Sequence, residues 1–224
     1  IVISNGETVP PVLRETAERT GTPLFSSTLA SAILMSYLGH YLTQSLAETT
    51  SQHGVFLEVL GMGVLIKGDA GVGKSELALE LVTRGHRLVA DDVVELKHVA
   101  PETLEGNCPA LIRDFLEVRG LGILNIRFLF GETAVKLQKN LRLIVELVHP
   151  EEIGEVGLNR LDMVASTENI LGVAIPKVCI PVAAGRNLAV LVEVAVRNHI
   201  LKSRGINPVE QFIKRQQAAI DGDD

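Results

Sequence analysis

The chain has 224 residues, of which 46% are hydrophobic and 21% are charged, and its formal net charge is −6. This composition excludes a disordered or collagen-like chain and is typical of a globular protein with one domain and part of another. The basic residues are spread along the chain and are not interleaved with aromatic residues. We therefore expect no binding of nucleic acid.

The cysteines and the apolar stretches indicate where the protein works. Cys108 and Cys179 match no metal-binding or redox spacing, which favours a reducing, cytoplasmic location. The most apolar stretches are interrupted by charges or are shorter than the roughly 20 residues of a membrane span, so we expect no membrane segment. The chain begins at Ile1 without a charged and then apolar leader, which suggests an excised fragment rather than a secreted precursor.

The first fifty residues predict a small α/β unit. IVISNG reads as a strand, VPPVLRETAERTG as a helix that ends at Gly21, and TPLFSS as a second strand. The segment from Thr28 to Thr49 has apolar residues at helical spacing and ends in a polar run. We interpret it as a connecting helix followed by a domain boundary near residues 46 to 51.

A β-hairpin and a helix follow the boundary. GVFLEVL and GVLIKG flank a Gly-Met turn, and the second strand leads directly into a glycine-rich loop. The helix from Lys74 to Arg84 ends at Gly85, where glycine adopts a left-handed cap readily. One face of this helix carries four apolar residues, which are Leu77, Ala78, Leu81 and Val82.

The rest of the chain continues the alternation of strands and helices. HRLVADD, VVELKHV, RLIVELV and KVCIPV are predicted strands. PALIRDFLEV is predicted as a helix with Leu111, Ile112, Phe115 and Leu116 on one face. Two further helices are predicted to begin after the capping residues Asn187 and Asn207. These elements together predict an α/β fold.

The loop after the hairpin matches the phosphate-binding pattern G-x-x-x-x-G-K-[ST]. Its residues are Gly68, Asp69, Ala70, Gly71, Val72, Gly73, Lys74 and Ser75. Glycines let the backbone N–H groups surround phosphate oxygens, and the start of the helix adds a positive dipole. The lysine reaches the terminal phosphates and the serine hydroxyl is available to Mg²⁺. We expect this loop to bind phosphate.

Two adjacent carboxylates favour a kinase over other nucleotide-binding proteins. The phosphate-binding loop is called the P-loop below, and the helix from Lys74 the P-loop helix. Asp91 and Asp92 end the strand that follows this helix. One could hold a metal ion while the other takes a proton from an attacking hydroxyl. The pair would also fit a solvated turn or a metal-binding aspartate beside a helix cap. The chain has no guanine-reading Asn-Lys-x-Asp, and Val93 stands where a hydrolytic motor needs glutamate.

Three other polar residues are candidates for the site. Glu117 and Arg119 lie just before the glycine-rich turn in LEVRGLGILNI. The carboxylate could complete a Mg²⁺ shell and the arginine could bind phosphate, or the two could form a surface ion pair. His53 precedes the hairpin, and a single histidine by itself indicates no function.

Four of these stretches together resemble the HPr kinase/phosphorylase family. They are HG before the hairpin, GDAGVGKSE, ADD and LEVRGLGILNI. The resemblance covers roughly residues 50 to 205 and includes ILGVAIPKVCIPVAAGRNLAVLVEVAVRN. It implies that residues 47–224 form a P-loop kinase domain of the phosphoenolpyruvate carboxykinase-like type. Residues 1–46 would be the end of an N-terminal α/β domain, and the protein would be a homohexamer.

The resemblance also implies a reaction. Members of this family phosphorylate a regulatory serine on HPr, the small carrier protein of the bacterial sugar phosphotransferase system, with ATP or pyrophosphate as the donor. In the reverse direction, inorganic phosphate attacks the phosphoserine and pyrophosphate forms. HPr, Mg²⁺ and ATP or pyrophosphate are therefore the expected partner, metal and donor.

Carried over to this chain, the family's pattern assigns a role to each candidate. Asp91 would be the general base, and the acid in the reverse direction, with His53 beside it to favour its charged form. Ser75, Asp92 and Glu117 would arrange Mg²⁺, Lys74 would hold phosphate, and Arg160 in LNRLD would complete the clamp of positive charge on the transferring group.

A loop in IPVAAGRN corresponds to the segment that this family uses in phosphorolysis and in contacts with HPr and a neighbouring subunit. The residues assigned to it are Val182, Gly185, Arg186 and Asn187. Two other functions compete with this assignment. A P-loop kinase for a small molecule predicts a deep closed pocket, and a non-catalytic nucleotide-binding regulator predicts that replacing Asp91 changes nothing.

Overall fold

The computed structural model describes residues 1–149, 165–183 and 185–221, and the chain divides into two compact units, Ile1–Ala47 and Glu48–Asp224. The first unit contains β1 Val2–Ile3, α1 Pro11–Thr20, β2 Phe25–Ser26 and α2 Ser31–Leu46. The two strands pair in parallel. Gly21 ends α1 with φ of 65°, so the predicted strand, helix and strand are confirmed.

The second unit is built on one large mixed sheet. Its elements in chain order are β3 Thr49–His53, β4 Val55–Val59, β5 Met62–Gly68, α3 Lys74–Thr83, β6 Arg87–Ala90, β7 Val93–Ala100, β8 Thr103–Asn107, β9 Phe115–Val118, β10 Gly122–Asn125, α4 Ile126–Phe130, β11 Gln138–Val148, β12 Ala165–Ile170, β13 Val173–Pro181, α5 Leu188–Ser203 and α6 Pro208–Asp221. The strands are ordered β3-β7-β8-β11-β5-β4-β6, while β13 pairs with β11 and β12. Strands β9 and β10 form a separate hairpin.

Three parallel strands bring the candidate loops to one edge of this sheet. β11 runs parallel to β5, with Ile144 opposite Leu65, and also parallel to β13, with Ile144 opposite Lys177. The carboxyl ends of β5 and β13 therefore lie at the same edge. The P-loop follows β5 there, and the segment before α5 follows β13.

The core lies on both faces of the sheet, as the period-2 alternation of strand residues requires. On one face, Val64 and Ile66 pack in a cluster with the buried sides of α3 and α5. On the other face, Leu65 and Ile144 pack with residues of β4, β7 and β8. The buried residues of α3 are Leu77, Ala78, Leu81 and Val82, which are the four that its spacing predicts.

The local signals predicted several element ends correctly. Asn187 caps α5 by accepting a hydrogen bond from Val190 N at 2.9 Å, and Asn207 accepts one from Val209 N at 3.1 Å before α6. The predicted hairpin is present, with its turn at Leu60–Gly61 rather than at Gly61–Met62. Both turn residues have positive φ, as a two-residue hairpin turn requires.

The predicted helix in PALIRDFLEV is wrong. The chain makes only a short 3₁₀ turn at Ala110–Ile112 and then enters β9, which pairs with β10. Asp114 has φ of 68°, a left-handed conformation that cannot continue a right-handed helix. Leu111 is 90% exposed, and β9 alternates exposed and buried residues. The apolar residues of this short segment thus follow the period of a strand.

Five short elements were not predicted: β3, β8, β10, α4 and β12. Most are polar or shorter than the window in which periodicity can be read. The predicted α/β class is confirmed at the level of a mixed α/β fold. Among the residues described, no helix combines the length and hydropathy that crossing a membrane requires.

Leu81→Ala should lower the free energy of unfolding by about 2–5 kcal/mol, because Leu81 is fully buried between α3 and the sheet and its truncation leaves a cavity. Leu111→Ala is the matched control, and it should change this free energy by less than about 0.5 kcal/mol because the side chain is exposed. Urea unfolding followed by circular dichroism measures both. Equal losses for the two variants would contradict the assignment of Leu111 to the surface.

Candidate active site

A cleft of about 530 Å³ lies beside the P-loop. Its walls are the loop itself, His53 and Gly54 at the end of β3, the Asp91–Asp92 pair after β6, and the side chains of Glu117 and Arg119. Four segments that are distant in sequence therefore meet at one site. Most of the residues predicted for the site are among those that line it.

The backbone of the P-loop is built for close approach. Gly68 has φ of 142°, and a Cβ atom there would lie 2.6 Å from the carbonyl oxygen of Leu147, so no larger residue fits without a shift of backbone. Gly73 has φ of 98° and precedes α3, whose first turn begins at Lys74. The free N–H groups of this turn are at the cleft, where a helix start favours anions.

Not every residue of the phosphate-binding pattern faces the cleft. Ala70, Gly71, Gly73, Lys74 and Ser75 line it. Val72 is instead buried against the core. The ammonium group of Lys74 donates hydrogen bonds to the carbonyl oxygens of Gly68 and Asp69, both at 2.8 Å. These bonds hold the lysine in the loop.

Asp91 is the buried carboxylate of the site. It is 9% exposed, and its Oδ2 accepts a hydrogen bond from Glu117 N at 3.0 Å. Burial raises the pKa of Asp91 above its ordinary value, and hydrogen bonds from the backbone of Glu117 and Asp92 oppose this shift. A carboxylate with a raised pKa at the wall of a cleft is suited to exchange a proton with a substrate.

Asp92 has a different environment from its neighbour. It is exposed, it has φ of 66°, and its Oδ1 lies 3.0 Å from His53 Nδ1. The backbone supports this pair, because Gly54 N donates to Asp92 O at 3.1 Å. The histidine was expected beside Asp91. Its direct contact is with Asp92, although all three residues line the same cleft.

Glu117 and Arg119 enter the cleft from the end of β9. They are two residues apart, so both side chains lie on one side of the extended chain. The guanidinium of Arg119 lies beside the P-loop, since a Cβ atom added at Gly71 would be 3.9 Å from its Nη1. Arg119 is therefore placed to contact an anion in the loop, whereas a surface ion pair with Glu117 is not among the described interactions.

The cleft carries more acidic than basic side chains, so a bound cation would be compatible with its charge. Four carboxylates line it, from Glu76, Asp91, Asp92 and Glu117, against the cations Lys74 and Arg119. Within the described ranges, no group of three or more His, Cys, Asp or Glu side chains could hold a metal ion unaided. Mg²⁺ is usually held by one or two carboxylates together with substrate phosphates and water, so the donor set fits this ion.

The sequence analysis missed two features of the site. Glu76 lines the cleft from the first turn of α3, and its position directly after Ser75 in GKSE was the available signal. An apolar cavity of about 370 Å³ adjoins the carboxylates of Asp91, Asp92 and Glu117. Its apolar lining residues are Leu111, Ile112, Phe115 and Ile123. This cavity could not be predicted because the first three of these had been assigned to a helix.

The structure leaves the remaining candidates without a place in the site. Arg160 falls outside the described residues. Val182 N donates to Val148 O at 2.9 Å at the end of β13, and Gly185 has φ of 79°. Arg186 is exposed and Asn187 caps α5. None of these last four belongs to the lining of the cleft in the described part of the chain, so their roles stay predictions.

Comparison with known proteins identifies the family. Residues 44–216 match the family model described as HPr Serine kinase C-terminal domain. The chain is 56% identical over 215 residues to the HPr kinase/phosphorylase of Chromobacterium violaceum, which covers 96% of this chain and 68% of the relative. The chain belongs to the HPr kinase/phosphorylase family.

Other members of the HPr kinase/phosphorylase family support this assignment. The protein of that name from Nitrosomonas europaea is 53% identical over 222 residues, or 99% of this chain and 69% of the relative. The solved structure of the Hpr(Ser) kinase/phosphatase from Coxiella burnetii matches with a TM-score of 0.66 and 43% identity, over 70% of this chain and 93% of that one. The predictions of this family and of its enzyme class, a serine kinase and phosphorylase, are confirmed.

Asp91→Asn should raise the free energy of unfolding at neutral pH. The pKa of Asp91 is higher in the folded than in the unfolded chain, so its ionised form destabilises the fold. This cost is absent below the unfolded pKa of about 3.9, grows as pH rises, and is complete above the folded pKa. The stabilisation by Asp91→Asn should therefore vanish at acidic pH.

Urea unfolding in EDTA, at neutral pH and at about pH 3, below the unfolded pKa, measures this difference. Asp92→Asn is the matched control, because Asp92 and its partner His53 are exposed, and the change in their contact should alter the free energy by less than about 1 kcal/mol. A loss of stability in Asp91→Asn at neutral pH would show that its hydrogen bonds outweigh the cost of burial.

Proposed function

We propose that this chain phosphorylates a regulatory serine of HPr with ATP or pyrophosphate, and that it removes the phosphate by phosphorolysis. The observation that carries this proposal is the presence of a buried carboxylate and a complete P-loop in one cleft of about 530 Å³. Membership of the HPr kinase/phosphorylase family supports the choice of substrate.

In the forward direction, Asp91 acts as the general base. It takes the proton of the serine hydroxyl while the serine oxygen forms a bond to the terminal phosphorus of the donor, and the bond from that phosphorus to the leaving phosphate breaks. In reverse, an oxygen of inorganic phosphate attacks the phosphoserine phosphorus, the bond to the serine oxygen breaks, and protonated Asp91 returns the proton. Pyrophosphate and free serine result. The raised pKa of Asp91 supports both roles.

The cations of the site bind and orient the phosphates. Lys74 and the N–H groups at the start of α3 hold the donor, or free phosphate in the reverse direction. Arg119 adds positive charge beside Gly71. Arg160 is proposed to complete the clamp on the transferring group, by family resemblance alone.

Ser75, Asp92 and Glu117 are proposed to hold Mg²⁺, which would neutralise negative charge on the transferring phosphoryl group when bound. His53 orients the carboxylate of Asp92 through their 3.0 Å contact. The Glu117 backbone N–H fixes Asp91, so Glu117 serves the base and the metal from one position on β9.

The apolar cavity favours a protein over a small molecule as the acceptor. Leu111 and Ile123 are 90% and 72% exposed, and both line this cavity together with Asp91. An apolar surface at the entrance to a polar site suits a protein that carries its serine on a partly apolar surface. A homohexamer in the cytoplasm is also proposed, on family membership alone.

The reverse reaction tests the proposal. Purified protein, Mg²⁺, serine-phosphorylated HPr and inorganic phosphate should release pyrophosphate, and Asp91→Asn should reduce this rate by about 10²- to 10⁴-fold because the leaving serine oxygen loses its acid. Glu102→Gln, which removes an exposed carboxylate outside the cleft, is the control and should retain activity. If no pyrophosphate forms and ATP does not label HPr, the proposed substrate is wrong.

Leu111→Ser and Ile123→Ser should raise the KM for HPr by about five- to thirtyfold, since each removes apolar contact worth about 1–2 kcal/mol. The KM for ATP should not change, because neither residue lines the P-loop cleft. Leu129→Ser, at a 59% exposed position outside the cavity, is the control. Equal effects on both KM values would indicate damage to the fold rather than loss of docking.

A further inference from the structure

One ion pair closes the open end of the β9–β10 hairpin. Arg127 Nε donates a hydrogen bond to Asp114 Oδ2 at 2.7 Å. Beside it, Ile126 N donates to Asp114 O at 2.8 Å, one position beyond Phe115 and Asn125, the last partners of the two strands. Asp114 is therefore bound twice to the chain that leaves β10, once through its backbone and once through its carboxylate.

Asp114 forms a corner in the chain before the hairpin. Its φ of 68° lies in the left-handed region and turns the chain from the short 3₁₀ turn Ala110–Ile112 into β9. A residue other than glycine keeps this conformation only where the surrounding structure holds it. The bonds from Ile126 and Arg127 supply this restraint.

The corner separates two walls of the apolar cavity. Leu111 and Ile112 line the cavity before Asp114, and Phe115 lines it directly after. A further wall comes from Ile123 on β10. A rotation of the chain at the corner would therefore change the separation between these walls.

The ion pair ties this corner to the core of the unit. Ile126, next to Arg127, is fully buried in the cluster that contains the apolar residues of α3 and α5. Asn125 caps α4 by accepting a hydrogen bond from Phe128 N at 2.9 Å. The side chains of Asp114 and Arg127 are 17% and 29% exposed, so water screens their attraction less than it screens that of a surface pair.

Arg127 also has a second acidic partner. Its Nη1 donates to Glu132 Oε2. The Glu132 side chain is 74% exposed and lies after α4, so this pair involves no residue of the hairpin or of the cavity lining. Substitution of Glu132 therefore provides a control at the same arginine.

We propose that Arg127 is a positioning residue for the protein acceptor, which acts through Asp114 to hold the walls of the apolar cavity at a fixed separation. In the part of the chain that the structure describes, neither residue lines the cavity or the P-loop cleft, so their effect on the acceptor is indirect. A preorganised surface binds its partner more tightly because less ordering is needed on binding. The inference rests on the proposed function of this cavity in docking HPr.

The KM values for HPr and for ATP, measured with Mg²⁺ on the full chain, test this role. Arg127→Gln should raise the KM for HPr about five- to twentyfold and leave the KM for ATP within twofold. Asp114→Gly should have the same effect, since glycine accepts the left-handed backbone but lacks the carboxylate. Because both substitutions break one contact, the double variant should differ from either single variant by less than twofold.

Two further variants separate positioning from a general loss of stability. Arg127→Lys keeps a cation for Asp114 and should keep the KM for HPr within about threefold of the parent value. Glu132→Gln removes the exposed partner of the same arginine and should leave this KM within twofold. A thermal melt of each variant confirms that it is folded, and Asp114→Gly still tests the role if Arg127→Gln does not fold.

Hydrogen exchange gives a readout of the corner that needs no HPr. The amide of Ile126, which donates to Asp114 O, should exchange at least about fivefold faster in Arg127→Gln and in Asp114→Gly. Its exchange in Glu132→Gln should match that of the parent. Mass spectrometry of the peptide that contains Ile126 measures the exchange.

The outcomes separate this inference from the proposed function. The inference is wrong if folded Arg127→Gln and Asp114→Gly keep the parent KM for HPr, if their effects add in the double variant, or if the exchange of Ile126 is unchanged. Equal increases in the KM values for HPr and ATP would also contradict it. If the parent protein does not phosphorylate HPr, the proposed substrate is wrong, and the acceptor role of Arg127 fails with it.

Discussion

The whole arrangement depends on the pairing of one long strand, β11, with its parallel neighbours. β11 spans Gln138–Val148 and pairs with β5, β8 and β13. Because parallel strands end at a common edge, this register brings the P-loop and the segment before α5 to the same place. The apolar residues on one face of the sheet pack against α3 and α5. This packing fixes the direction in which the first turn of α3 points.

The site combines interactions that oppose one another. Burial makes the charged form of Asp91 costly, and three more carboxylates face the same cleft. A protein selected for stability alone would remove such charges. Their retention beside a phosphate loop is understandable if the bound phosphates and a metal ion neutralise them during turnover. The free protein is therefore expected to gain more from binding a metal–phosphate complex than from binding either component alone.

Local signals made the P-loop, the buried face of α3 and the cap at Asn187 predictable, because glycines, capping side chains and the 3.6-residue period act within a few positions. The β9 hairpin was mistaken for a helix since its apolar residues fit both periods, and the left-handed Asp114 has no signature in one sequence. The pairing of His53 with Asp92, and of Asp114 with Arg127, depends on how separate elements pack. Neither pairing could be derived from spacing along the chain.

The left-handed backbone at Asp92 restricts which residues evolution or an experimenter can place there. With φ of 66°, this position suits Asp, Asn or Gly, whereas most other residues would add a conformational cost of about 1–2 kcal/mol. An alanine substitution at Asp92 would therefore combine backbone strain with the loss of the interactions of its carboxylate. At Asp91, where the backbone is ordinary, the same substitution would report chemistry and packing, so equal activity losses at the two neighbours would have different causes.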